Sequence, residues 1–171
     1  MKLVSIPANP VPDNVVTGAI QTPDGVSLRF ARWAPPPGRK GTVLVLQGRA
    51  EYIEKYFETV RDLRARGFAV VTFDWRGQGL SDRALSNRHK GYVRSFSDYI
   101  TDLEAAMEQV VLPDCPPPIF ALAHSMAAKT SRSPVVTKSP SASASLISRP
   151  MLWPYFSTTS MLCRVRRSDL R

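Results

Sequence analysis

Only two histidines, His89 and His124, occur in this chain, and none follows His124. Cysteine is as scarce: Cys115 and Cys163 lack the short spacing of a metal or redox motif, so they read as reduced thiols that nothing requires to pair. No apolar run approaches the length of a membrane span. The opening Met1-Lys2-Leu3-Val4-Ser5-Ile6-Pro7 lacks the apolar core of a secretory signal, and a soluble cytoplasmic protein is expected. Glycine is missing after Gly91, and acid is almost missing after Ser125, where Asp169 stands alone.

What is present suits a globular domain with a sizeable core: 171 residues, of which 43% are hydrophobic. The net charge of +9 is unevenly placed. Residues 127–171 hold eight Lys or Arg against Asp169, a balance of +7, whereas residues 1–126 hold 15 basic and 13 acidic groups, a balance of +2. The basic tail has no aromatic interleaving, groove-reading motif or amphipathic stripe, so its charge does not mark a nucleic-acid or membrane-binding element.

Residues 1–14 read as an irregular, Pro-rich lead-in. Val15–Thr22 and Val26–Trp33 form a strand pair around the turn Pro23-Asp24-Gly25. After the loop 35–38, Thr42-Val43-Leu44-Val45-Leu46-Gln47 is a continuous apolar run, the pattern of a strand buried on both faces. Ile53, Phe57, Val60 and Leu63 recur at helical spacing between Tyr52 and Arg66, and Gly67 is placed to end that helix. Phe68–Phe73 is a second buried strand. From Ser95, with Asp98 three residues on, Phe96, Ile100, Leu103, Met107 and Val110 describe a second amphipathic helix, which Pro113 and Pro116-Pro117-Pro118 should stop. Ile119–Ala123 is a third buried strand. The order predicts an α/β fold, a mostly parallel sheet extended by an N-terminal antiparallel hairpin.

In such a sheet chemistry gathers at the carboxyl ends of the strands, where three loops meet: 47–51, 74–82 and 124–127. The last contains Ala123-His124-Ser125-Met126-Ala127, a serine with small residues two positions to either side at the end of a buried strand. That is the outline of a nucleophile elbow, a strained turn that lifts a hydroxyl above the sheet, with alanines where G-x-S-x-G has glycines.

Together the three loops resemble the α/β-hydrolase family, and within it the bacterial lysophospholipase and monoacylglycerol-lipase-like group, serine aminopeptidase S33. Gln47-Gly48-Arg49-Ala50-Glu51-Tyr52 with Tyr56 is similar to that group's H-G-x-x-E-x loop, with Gln47 in place of histidine. Phe73-Asp74-Trp75-Arg76-Gly77-Gln78-Gly79-Leu80-Ser81 is similar to its D-x-R-G-x-G-x-S turn, and Leu122-Ala123-His124-Ser125-Met126 to its elbow. The resemblance covers residues 15–126, the N-terminal half of such a domain. It implies hydrolysis of a small acyl ester or lysophospholipid through an acyl-serine, without a cofactor or metal. Ser125 would attack the carbonyl, and the backbone N–H groups of Met126 and Arg49 would hold the oxyanion. Gly48, Glu51, Asp74, Arg76, Gly77, Gly79 and His124 would support the motifs. Lipid substrates also imply transient contact with a membrane surface, while the oligomeric state is unspecified.

A serine hydroxyl needs a base, and the base an orienting acid. In this fold they follow the serine, acid first, yet after Ser125 the sequence offers Asp169 and no histidine. His124, adjacent to the serine on a tight turn, reads as structural, and His89 as part of a surface loop by the substrate entrance. Residues 127–171 contain ten Ser, four Thr, four Pro and no Gly. They read as a low-complexity tail in which Pro134 and Pro140 interrupt the helix an elbow needs. Loss of one G from ATG GGC GGC A gives ATG GCG GCA, encoding the Met-Ala-Ala found at 126–128, so the tail is expected to be the product of a frameshift. The expected product is impaired and marginally stable, its last strand presenting a bare apolar edge.

Other readings stand beside this one. Gly77-x-Gly79 could cradle phosphate, although a structural turn fits its missing third glycine. Arg49, Arg76 and Arg83 could meet an anionic head group or simply be solvated, and Glu51 and Asp74 could be catalytic carboxylates or loop-ordering groups. The chain as a whole could be a non-catalytic hydrolase-like fragment or a basic-tailed binding protein.

Overall fold

The computed structural model describes residues 1–38 and 40–130, and the backbone of 160–165. Two strands, β1 (Val15–Gln21) and β2 (Ser27–Trp33), pair antiparallel across the expected turn, in the register Val15 to Trp33. β3 (Thr42–Leu46) follows, with all five residues buried, as its uninterrupted apolar run requires. A 3-10 turn at Ile53–Tyr56 leads into α1 (Phe57–Ala65), which Gly67 follows, and β4 (Ala69–Phe73) is again buried throughout.

α2 (Ser97–Ala106) does not stop at Pro113. It continues through a π turn at Met107–Val111 into α3 (Leu112–Asp114). Pro113 follows directly on the π turn and the chain stays helical past it to Asp114, so the stop falls to the Pro116–Pro118 run. β5 (Ile119–His124) leads to Ser125 and then to α4 (Met126–Thr130).

Among the described residues one mixed sheet contains every strand, in the order β1-β2-β4-β3-β5, with β6 (Ser160–Val165) beyond β5. β4, β3 and β5 are parallel; β1, β2 and β6 join through antiparallel pairings. β4 and β5 flank β3 on opposite sides, so crossovers of one hand must place their helices on opposite faces. They do. Val43 and Val45 pack with Ile53, Phe57, Val60 and Leu63 on the α1 face, whereas Leu44 and Leu46 pack with Leu103, Met107 and Val110 on the α2 face.

The edge of β5 that the sequence leaves bare is paired in the structure. β6 lies antiparallel to it from Ile119 opposite Val165 to His124 opposite Ser160. Ser160-Met161-Leu162-Cys163-Arg164-Val165 is the kind of short apolar segment that an unpaired strand recruits. The positions at which helix stops were expected, Pro134 and Pro140, and the acid Asp169 lie outside the described residues. Among the described residues no helix is long and apolar enough to cross a membrane.

Candidate functional site

β3 and β5 are parallel neighbours in the sheet, so their carboxyl ends lie side by side at one end of it. The loop 47–51 and the turn at Ser125 meet there. Ser125 has φ +53°, and Ala50 in the facing loop has φ +59°. A non-glycine residue in the left-handed region costs of the order of 1–2 kcal/mol, and such strain persists where the surroundings over-determine it. At Ser125 the constraint is plain: β5 ends at His124, α4 begins at Met126, and one residue makes the reversal.

Gly48 is required by close approach. A Cβ built there would lie 2.8 Å from Glu51 Oε2, 3.0 Å from His124 Nδ1 and 3.2 Å from Ser125 Cβ. Glu51 organises this contact. Its Oε2 accepts the Gly48 N–H at 2.6 Å and the Tyr56 hydroxyl at 2.6 Å, and stands 3.2 Å from His124 Nδ1, while Oε1 pairs with Lys55 at 3.1 Å. A carboxylate only accepts, so the bond to His124 places a proton on Nδ1. Burial pushes the Glu51 carboxyl up, but the bonds from Tyr56, Gly48, His124 and Lys55 outweigh it and hold the pKa at about 2. Burial and the adjacent carboxylate push the Tyr56 hydroxyl up, so it remains a donor. Glu51 and His124 thus tie the end of β3 to the end of β5.

The second loop is fixed from below. Asp74 is fully buried; it accepts the backbone N–H groups of Ile53 and Leu80 at 2.9 Å each and pairs with Arg29 at 2.6 Å. Arg29 reaches on to Glu54 at 2.7 Å. Gly79 closes over Asp74 so tightly, at φ +49°, that a Cβ would fall 2.0 Å from its carboxylate oxygen. Gly77, at φ +75°, turns the chain beside the Tyr92 carbonyl.

Arg76 is neither solvated nor free for a head group. It is buried and bonded to Asp102 at 2.7 Å and Asp24 at 2.6 Å, with Asp98 at 3.9 Å. Its guanidinium holds the Asp24 carboxyl down at about 2. Gln47, in the position of the family's histidine, is also buried; its side-chain amide N–H donates to Thr72 Oγ1, and its backbone carbonyl accepts the Trp75 indole N–H.

The loop 47–51 therefore lies against Ser125 through Gly48, and the turn 74–82 holds that loop through Asp74 and Gln78, with Arg49 and Met126 adjoining Gly48 and the serine in the chain. His89 lies in an exposed loop, its backbone N–H donating to Asn87. Burial pushes the Cys115 thiol up to about 11, the direction of an inert structural cysteine. Among the described residues no group of His, Cys, Asp and Glu could hold a metal ion.

Sequence reasoning missed Arg29, Glu54, Asp24 and Asp102. Two signals were there to read: Arg29 occupies an inward position of β2, and Asp102 shares the buried helical face of Tyr99, Leu103 and Ala106. A charge in either place needs a buried partner.

Comparison with known proteins agrees with this architecture. The chain is 40% identical over 103 residues to lysophospholipase L2 of Escherichia coli K12, covering 60% of this chain and 30% of that protein. It is 33% identical over 84 residues to phospholipase YtpA of Bacillus subtilis, covering 49% and 30%. The chain thus spans about a third of the length of these curated relatives. Among solved structures, an α/β hydrolase from Novosphingobium aromaticivorans superposes with a TM-score of 0.55 at 21% identity, over 69% of this chain and 38% of that one. Est1E of Butyrivibrio proteoclasticus, solved with bound ferulic acid, gives 0.56 at 20% identity over 70% and 46%. The family described as serine aminopeptidase, S33, matches residues 37–166, most of the chain, including the loop 47–51, the turn 74–82 and the elbow. The chain belongs to this S33 family and carries the α/β-hydrolase fold.

Proposed function

We propose that this chain is a serine ester hydrolase of the lysophospholipase type, acting on a small acyl ester or lysophospholipid, and that it is impaired. The observation that carries the reading is Ser125, held at φ +53° between β5 and α4 with Gly48 of the facing loop against it. On this reading Ser125 Oγ attacks the acyl carbonyl and the alcohol leaves as the acyl-serine forms. The backbone N–H groups of Arg49 and Met126 stabilise the oxyanion, and water then releases the acid. The names of the relatives, lysophospholipase and phospholipase, support a lipid ester as substrate.

Transient contact with a lipid surface is supported by Val4, Ile6, Tyr52 and Leu80. All four are exposed, and they line one apolar groove beside the site. The catalytic role would then be exercised from the cytoplasm at a membrane face. Impairment is supported by the histidines of the described residues: His124 is bound to Glu51, and His89 lies in an exposed loop with its backbone N–H donating to Asn87.

That same shortage favours a second reading, a hydrolase-like chain that binds without turnover. Labelling with a fluorophosphonate probe separates the two, with Ser125→Ala as control. Slow, Ser125-dependent labelling is expected. Labelling no faster than that of the Ser125→Ala variant would establish the non-catalytic reading.

A further inference from the structure

Beside the loop 47–51 lies a second cavity, of about 470 Å³, a size that suits a small ligand. Its lining is cationic. Arg49, Arg83 and Arg88 supply the charge from the loops 47–51 and 76–91, with His89 beside them and Glu51 as the carboxylate on its wall. Glu51 is already engaged by Gly48, Tyr56, His124 and Lys55, and Arg76, which also reaches the wall, is neutralised by Asp24 and Asp102. Arg83 donates to the carbonyl oxygens of Gly77 and Gly79, and Arg49 to the Gly91 carbonyl at 3.4 Å, so these two loops hold the guanidinium groups in place.

One further group sets the cavity apart from a chance arginine cluster. Gln78 is 6% exposed, and its Oε1 accepts the Glu51 N–H at 3.2 Å, which orients the amide. Its Nε2 is buried and has no hydrogen-bond partner among the described residues, and the same is true of Arg83 Nε. A buried donor without an acceptor is costly, and a ligand with acceptor oxygens offsets that cost. An anionic ligand fits both observations: guanidinium groups supply charge, and Gln78 supplies a directed neutral donor.

We propose that this cavity is the subsite for the phosphodiester head group of a glycerolipid, placed so that the glycerol bridges it to the ester at Ser125. The assignment deepens the lysophospholipase reading and rests on it for the identity of the ligand. Arg49 and Glu51, which line the cavity, belong to the loop whose Gly48 abuts Ser125. The subsite would make this chain select lysophospholipid over monoacylglycerol, whose head carries no charge.

The test is equilibrium binding by titration calorimetry to the full chain carrying Ser125→Ala, so the result does not depend on turnover. Glycerophosphocholine, inorganic phosphate and glycerol are the probes. Glycerophosphocholine should bind, more tightly than inorganic phosphate, and glycerol should not. Arg88→Ala should weaken it by about tenfold, as loss of one charge-assisted bond would. Gln78→Glu keeps the acceptor for the Glu51 N–H but replaces the donor with a negative charge, and should abolish binding. Circular dichroism of both variants confirms that they fold. Inorganic phosphate binding as tightly as glycerophosphocholine would overturn the head-group assignment. So would glycerophosphocholine binding that survives both substitutions, or no binding at all. Failure of the lysophospholipase reading shows separately, as absent labelling of Ser125 in the unsubstituted chain.

Discussion

Glu51 shows how much of the site depends on one carboxylate. It joins a backbone amide of its own loop, a tyrosine of the following turn and a histidine 73 residues away. Its folded pKa, about 2, lies below its ordinary value of 4.5, so the ionised form is the one the fold stabilises. The sign follows: this contribution is fully present above about pH 4.5 and is lost as pH falls from there towards about 2. Glu51→Gln should therefore lower stability at neutral pH by about 1.5–3 kcal/mol, the range for hydrogen bonds to a charged group. The gap between variant and parent should close on acidification through that window. Urea midpoints at a series of pH values measure both. A gap that stays constant to pH 2 would show that the Glu51 charge does not hold the loop.

At the scale of elements, the strands that position the site were legible because they are buried on both faces. Such strands need uninterrupted apolar runs, and β3 and β4 are written that way. The loops were legible for a different reason, since Gly48, Gly79 and Ser125 occupy places that sterics leave to few residues. Arg29–Asp74 and Arg76–Asp102 were not legible, because their partners are 45 and 26 residues apart and a pairing of that range has no periodicity. The π turn before Pro113 likewise carries no pattern in the sequence, and the short apolar segment of β6 does not by itself show which edge it pairs with.

β6 makes a clear prediction of its own. Successive residues of an antiparallel strand direct their N–H groups to opposite sides, so of Leu162 and Cys163 one donates to β5 and the other points away. Leu162→Pro and Cys163→Pro should differ. One should destabilise by about 3 kcal/mol and promote aggregation through the uncovered edge, while the other is tolerated. Thermal unfolding with size-exclusion chromatography reads the contrast. If neither substitution has an effect, β6 does not protect the sheet.

For the whole molecule, the open matter is how a nearly neutral α/β body comes to carry a tail of net charge +7. The residues up to Met126 form the S33 elements described above; beyond Ala128 the composition turns to serine, proline and arginine without glycine. A single-base loss at codons 126–128, which we propose, would account for the change in composition at that point. The family match that continues to residue 166, and the pairing of β6 with β5, are what a native tail would also give. The two origins differ in the coding DNA. If the frame was lost, restoring one G should yield Met-Gly-Gly at the elbow, followed by alternating helix and strand patterns, an acid and a later histidine. The restored chain should then label at Ser125 far faster than this one, because its serine regains a base. If independent reads confirm the frame as it stands, and the alternative frame encodes neither acid nor histidine, the tail is native, and β6 is its own solution to the exposed edge of β5.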